Sequence, residues 1–183
     1  MGELEELRAE VRSLRDRADI QDLFSQFAAG MDAQDWDLLE RVFSDDIVVD
    51  HTAEVWGKGQ VEDHWVGIER VMDGMRTGVS RHFVSHHMIT NHRVAIDGDR
   101  ARVVTYLHSV HLDDPQKPDR HADHGAWYLC DLRRTSSGWR VSRMKHISLW
   151  RAGDMKPTGP VTSAEVSEMR DHLRTAIAAE RRR

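Results

Sequence analysis

The sequence predicts an α+β domain in which helices come first, a long antiparallel sheet follows, and the helices cover one face of that sheet. Three observations carry this. Apolar residues recur at helical spacing from Leu4 to Phe43, whereas β-branched runs divided by tight-turn signals fill the stretch from Phe83 to Trp150. The 183 residues suit one domain with a terminal extension rather than two full domains.

Leu4, Leu7, Val11 and Leu14 step by three or four residues, and Ile20, Leu23, Phe24 and Phe27 continue a helical face. The first set spans about two heptads, short for a coiled coil, and reads as an amphipathic helix packing on its own domain or on a neighbour. Gly30 is expected to close this region. Asp35 has the character of an N-cap for a short helix carrying Leu38, Leu39, Val42 and Phe43. Ile47 to Val49 reads as a strand that runs through Asp50, His51 and Thr52 towards Trp56, before the turn at Gly57-Lys58-Gly59. Val61 to Met75 reads as a helix with Trp65, Ile68 and Met72 on one side. Phe83 to Ile96 ends at Asp97-Gly98-Asp99, a hairpin signal, and Ala101 to Leu112 returns. A polar loop from Asp113 to His121 precedes a strand over Gly125 to Arg133, and Ser136-Ser137-Gly138 turns into Trp139 to Trp150. Pro157 and Pro160 break the chain before Thr162, which with Glu165 forms a capping box for a last helix. The expected organisation is one domain over residues 1–152, including a helical extension at 1–17, then a linker and helix over 153–183.

A formal charge of −5 and a pI near 6.2 offer no broad basic field, so no nucleic-acid partner is expected. The start of the chain is acidic where a signal peptide would be basic, and no apolar run approaches the roughly 18 residues that span a bilayer. A cytoplasmic protein without a membrane partner is expected. The single cysteine, Cys130, allows no intramolecular disulfide and reads as an inert mid-strand side chain. Twelve histidines raise the question of a metal. His82, His86 and His87 crowd together, as do His108 with His111 and His121 with His124, yet residues three apart on a strand face opposite ways and no His-Glu-x-x-His helix exists. No metal site is expected, and without a Gly-rich phosphate loop no cofactor is expected either.

The stretches Ile20-Gln21-Asp22-Leu23-Phe24, Met31-Asp32-Ala33-Gln34-Asp35-Trp36-Asp37 and Phe43-Ser44-Asp45-Asp46 look like the opening of SnoaL-like proteins. His87-Met88-Ile89-Thr90-Asn91 followed by Asp97-Gly98-Asp99-Arg100-Ala101 resembles their central hairpin. Within that group the order of parts is most similar to scytalone dehydratase and its bacterial relatives, over roughly residues 15–152. The resemblance implies a cone of the nuclear-transport-factor-2-like kind, a curved, mostly antiparallel mixed sheet wrapped over N-terminal helices around a deep pocket. It implies a catalytic pair at Asp32 and His87 with a second histidine at His111. It further implies a homo-oligomer, dimer or trimer, formed through the sheet's outer face or the terminal helices. The sequence departs from the dehydratase pattern at Met31 and His51, where the dehydratase has tyrosines, and at Ala126 and Tyr128, where it has a serine and an asparagine.

Strand parity agrees with the place of His111, because Ala101, Val103, Thr105, Leu107, Ser109 and His111 share one face. A neutral imidazole is suited to removing a proton beside a carbonyl, and a carboxylate on its other nitrogen fixes the tautomer. His51, Tyr128 and His146 are further candidates to donate hydrogen bonds to a substrate. Trp56, Trp65 and Met72 fall where relatives carry a lid, although plain helix packing explains them equally. The expected function is a cofactor-independent lyase, dehydratase-like, acting on a hydrophobic cyclic carbonyl compound of polyketide, steroid or aromatic type. A cyclase or isomerase using the same base, or a non-catalytic binding module, are the alternatives.

Overall fold

The computed structural model describes residues 2–54, 64–80, 84–112, 114, 116–153, 171, 174 and 175. The first helix, α1 (Glu3–Ala33), is a single 31-residue element. Glu3, Glu5 and Glu6 lie in its first turn, where carboxylates meet the positive end of the helix dipole. Asp16 ties it to the sheet by accepting from Arg134 at 2.7 Å and from the Trp139 indole at 3.3 Å, and Arg17 donates to the Val94 carbonyl. Gly30 does not end the helix as expected. It lies inside α1 because a Cβ there would sit only 3.3 Å from Leu39, so its absence lets the next helix approach. The chain turns instead at Gln34, in the left-handed region at φ 50°. Asp35 then caps α2 (Trp36–Glu40) by accepting from the Leu38 N–H at 3.0 Å, as its position predicts. This helix is shorter than the apolar pattern suggests, since Phe43 already begins β1 (Phe43–Glu54).

The expected helix over Val61–Met75 is a second correction. His64–Val66 forms a short strand, β2, paired antiparallel to β1, and α3 starts only at Ile68 and runs to Val79. Gly67, at φ 84°, makes the break with a backbone conformation that side-chain-bearing residues avoid. Trp65 therefore stands on a strand, and its ring lies over Gly74 of α3, where a Cβ would come within 2.5 Å of it. Four long strands complete the sheet: β3 (Val84–Asp97), β4 (Arg100–Leu112), β5 (His121–Thr135) and β6 (Gly138–Gly153). The third of these begins at His121, four residues before the expected start, because Ala122 to Gly125 continue the ladder with β4.

The strand order is β2-β1-β6-β5-β4-β3, antiparallel throughout except for the parallel pair β1–β6. Register shifts interrupt the ladders at Thr90–Arg93, where Asn91 takes φ 57°, at Gly125–Ala126 and at Asp131–Leu132. Bulges of this kind bend strands and increase their twist, which curls the sheet over α1 into a cone. Phe24, Phe27, Ile47, Val103, Leu132 and Val141 fill the space between them and are almost wholly buried. Trp56, the Gly57–Gly59 turn and the capping box at Thr162 and Glu165 lie outside the described residues. Among the described residues, no helix is long and apolar enough to cross a membrane.

Candidate functional site

Between α1, α3 and the sheet lies a cavity of about 220 Å³. Phe27 and Met31 of α1 form its floor, and Met75, Gly78 and Val79 of α3 form one side. The sheet supplies the polar wall. Five histidines from five strands line this one space: His51 of β1, His87 of β3, His111 of β4, His124 of β5 and His146 of β6.

Asp32 stands behind His87 rather than on the cavity surface. It sits in the last turn of α1, and both carboxylate oxygens accept the His87 backbone N–H, at 3.0 and 3.1 Å. Oδ1 also meets His87 Nδ1 at 2.6 Å. An ionised carboxylate accepts only, so Nδ1 donates to Asp32, and in the neutral ring Nε2 is the acceptor left for the cavity that the ring lines. The backbone clamp and the ring contact together fix both the place and the orientation of this imidazole. His86, the next residue, is exposed on the outer face, as strand alternation requires.

His111 arrives beside His87 on the adjacent strand. The two rings lie 5.3 Å apart and nearly perpendicular, and His111 Nδ1 is 3.0 Å from the Ser85 hydroxyl. The predicted face of β4 is the inward one, since Ala101, Val103, Thr105, Leu107 and Ser109 are all buried. Ser109 pairs directly with His87 across the ladder, and its buried hydroxyl has no hydrogen-bond partner among the described residues.

The opposite wall is built differently. The His146 ring packs among His51 at 5.5 Å, His124 at 4.9 Å and Tyr128 at 5.4 Å. Neither of its nitrogens has a hydrogen-bond partner among the described residues. Burial drives its pKa down to about 3, helped by repulsion from His124, His51 and Arg151. Burial, with Arg151 and His87, likewise lowers His124 to about 4, while its Nε2 lies 3.0 Å from the Ser148 hydroxyl. Tyr128, wedged against Phe27, is pushed up by burial and stays a neutral phenol. His124 and His146 are thus neutral at physiological pH.

Of the residues singled out in the sequence, His51, Trp65, His87, His111, Tyr128 and His146 meet at this cavity. Trp65 reaches it from β2, its ring tilted against that of His51 at 4.5 Å. Met72 does not reach it and is buried in the core, so Met75, one turn on, takes the place expected of it. His124, Ser109 and Met75 were not anticipated. Period-two parity with Tyr128 on β5 carries a signal for His124, and Ser109 shares the face of His111. The Cys130 thiol is buried deep in β5 and pushed up in pKa by that burial, an arrangement without nucleophilic character.

N-terminal helices under a six-stranded, mostly antiparallel sheet make the nuclear-transport-factor-2-like fold, and solved structures share this architecture. One is an NTF2-like protein from Novosphingobium aromaticivorans, at a TM-score of 0.64 and 20% identity over 81% of this chain and 92% of the other. A protein from the same organism, provisionally assigned as a scytalone dehydratase, aligns at 0.65 and 14% over 83% and 97%. The hexachlorocyclohexane dehydrochlorinase LinA-type3 of Novosphingobium barchaimii aligns at 0.65 and 20% over 84% and 99%. These likenesses show the fold. The model of the SnoaL-like domain matches residues 12–145, and the chain belongs to that family. An uncharacterised protein of Mycobacterium tuberculosis, Rv2910c, is 30% identical over 135 residues, covering 73% of this chain and 85% of its own length.

Proposed function

We propose that the protein is a lyase that uses Asp32 and His87 to remove a proton beside the carbonyl of a small cyclic molecule. The observation that carries this is the 2.6 Å contact between Asp32 Oδ1 and His87 Nδ1, which leaves the other ring nitrogen as the one available to a molecule in the cavity that His87 lines. His87 takes the α-proton, and its electron pair forms the enolate. Asp32 stabilises the imidazolium. The neutral His146, Ser109 and Tyr128 supply hydrogen-bond donors for the enolate oxygen. When the enolate collapses, the bond to a β-hydroxyl breaks, and the proton on His87 leaves with it as water. His111, in ring contact with His87, is the second group placed to deliver that proton. No oxidant or reductant enters the balance. The volume, about 220 Å³, lies below the ~300–1,000 Å³ of drug-sized sites and suits a molecule of one or two rings.

A second reading keeps the base and changes the outcome. Met31, apolar, lines the cavity where the dehydratase pattern has a tyrosine that holds a water at the substrate carbonyl, so that part of the dehydration site is missing. That favours cyclisation or isomerisation, in which nothing leaves. Incubation of cyclic β-hydroxyketones in heavy water, followed by mass spectrometry, separates the two. Loss of water supports the lyase, and deuterium uptake at the α-carbon without loss supports the isomerase or cyclase. Saturable binding with neither would overturn both in favour of a binding module.

A further inference from the structure

The N-terminal half of α1 carries an apolar stripe that no described part of the domain covers. Leu4, Leu7, Val11 and Leu14 are 59, 56, 37 and 61% exposed, and every residue from 2 to 15 is exposed. Their spacing of three, four and three is the a–d alternation of a heptad, with Leu4 and Val11 at a and Leu7 and Leu14 at d. Glu3 and Glu10 then flank the seam at g, and Arg8 and Arg15 flank it at e.

We propose that this segment pairs with the same segment of a second copy of the chain, parallel and in register, as a short two-stranded coiled coil. Charge selects the partner and the direction. In a parallel pair each g position faces the e position five residues further along the other helix. Glu3 then meets Arg8 of the second copy and Glu10 meets its Arg15, so both contacts are of opposite sign. An antiparallel pair sets e against e and g against g, which places arginine beside arginine and Glu10 beside Glu10. A β-branched residue at Val11 with leucine at both d positions favours two strands over three.

The rest of α1 makes the pairing sterically open. At about 100° per residue the stripe points roughly opposite to Ile20, Leu23, Phe24 and Phe27, the side that packs on the domain. Two copies can therefore meet with their domains facing outward. Beyond Leu14 the same face continues through Ala18 and Ser25, both small and exposed. Two heptads are too short to be stable as a free peptide, but α1 is one unbroken helix anchored at Asp16 and Arg17. That anchor supplies the helix nucleus a free peptide would have to form.

Light scattering on the full chain tests the proposal. The wild type is expected to associate, and Leu7→Glu with Leu14→Glu to halve its mass, ending at 21.1 kDa if no other face associates, with the circular dichroism spectrum of a folded domain retained. Arg8→Glu with Arg15→Glu should halve it as well, and mixing with Glu3→Arg/Glu10→Arg chains should restore pairs. Leu14→Cys should form a disulfide with its own counterpart on mild oxidation, since Cys130 is buried and does not compete. A monomeric wild type, or a mass that Leu7→Glu/Leu14→Glu does not halve, overturns the proposal. An associated Leu14→Cys protein that does not cross-link overturns the parallel register.

Discussion

The two walls of the cavity use the same residue type to opposite ends. On one, His87 has a carboxylate on Nδ1 and His111 has a hydroxyl on its own Nδ1. On the other, His146 has both nitrogens buried without a hydrogen-bond partner among the described residues, and burial holds His124 and His146 far below the usual imidazole range. An imidazole backed by a carboxylate can accept a proton and remain stable. One surrounded by other rings cannot, and serves only as a neutral donor or acceptor. Partners rather than residue type divide the labour.

The sharpest way to break this contrast is to remove the carboxylate's charge. Asp32→Asn keeps the shape but offers an amide that can donate to Nδ1, turning the tautomer so that Nε2 carries the proton. Turnover should fall by about 10³–10⁴, and His87→Ala should fall by about 10²–10⁴. Steady-state rates on a converted cyclic ketone check this, with circular dichroism confirming the fold. Wild-type rates in both variants would show that this wall does no proton transfer. Asp32→Ala should add a structural cost of about 1–3 kcal/mol, because the buried His87 backbone N–H then loses its acceptor.

The desolvated wall makes its own demand on pH. In the unfolded chain His124 and His146 titrate near the ordinary 6.5, whereas in the fold they do so near 4 and near 3. Between those values the unfolded state binds more protons, so stability is fully present above pH 6.5 and is lost as pH falls. The slope is at most about 1.4 kcal/mol per pH unit for each histidine. Urea denaturation at pH 7, 6 and 5 reads it directly. His146→Phe should remove its share of the slope and leave stability at pH 7 unchanged or raised, since two buried nitrogens without a partner among the described residues leave the interior. A slope unaffected by His146→Phe would place the acid sensitivity elsewhere.

Much of this site was legible before the fold was known, for reasons particular to each residue. Parity alone carries His111 to the inner face, because β4 is a regular strand from Arg100 to Leu112. Asp35 announces its helix because an N-cap is a local signal. The partnership of Asp32 with His87 spans 55 positions, and only the resemblance to SnoaL-like proteins joined them. Trp65 was misplaced because apolar spacing over Val61–Met75 fits a helix, while the decisive element, a positive-φ glycine at Gly67, carries no periodicity. Met72 and Met75 are one turn apart and both buried, so spacing cannot say which faces the cavity. The bulge at Gly125–Ala126 shifts the β5–β6 register, and no pattern in the residues counts the offset that brings His124 beside His146.

The smallest effect tests where the two walls meet. Ser109 stands across the ladder from His87, yet its hydroxyl is buried without a partner among the described residues. A buried hydroxyl of that kind does not stabilise the empty fold, so Ser109→Ala should leave stability unchanged or slightly raised. If the hydroxyl instead serves a bound carbonyl, the same variant should lose one neutral hydrogen bond, worth about 0.5–1.5 kcal/mol or roughly two- to tenfold in affinity. Calorimetric titration with a ligand that binds the wild type, beside a thermal melt of the free protein, reads both quantities. Weaker binding with an unchanged melt assigns Ser109 to the ligand. A lowered melt with unchanged binding would make it part of the scaffold that holds His87, and the boundary between the proton-transfer wall and the recognition wall would then lie beyond β4.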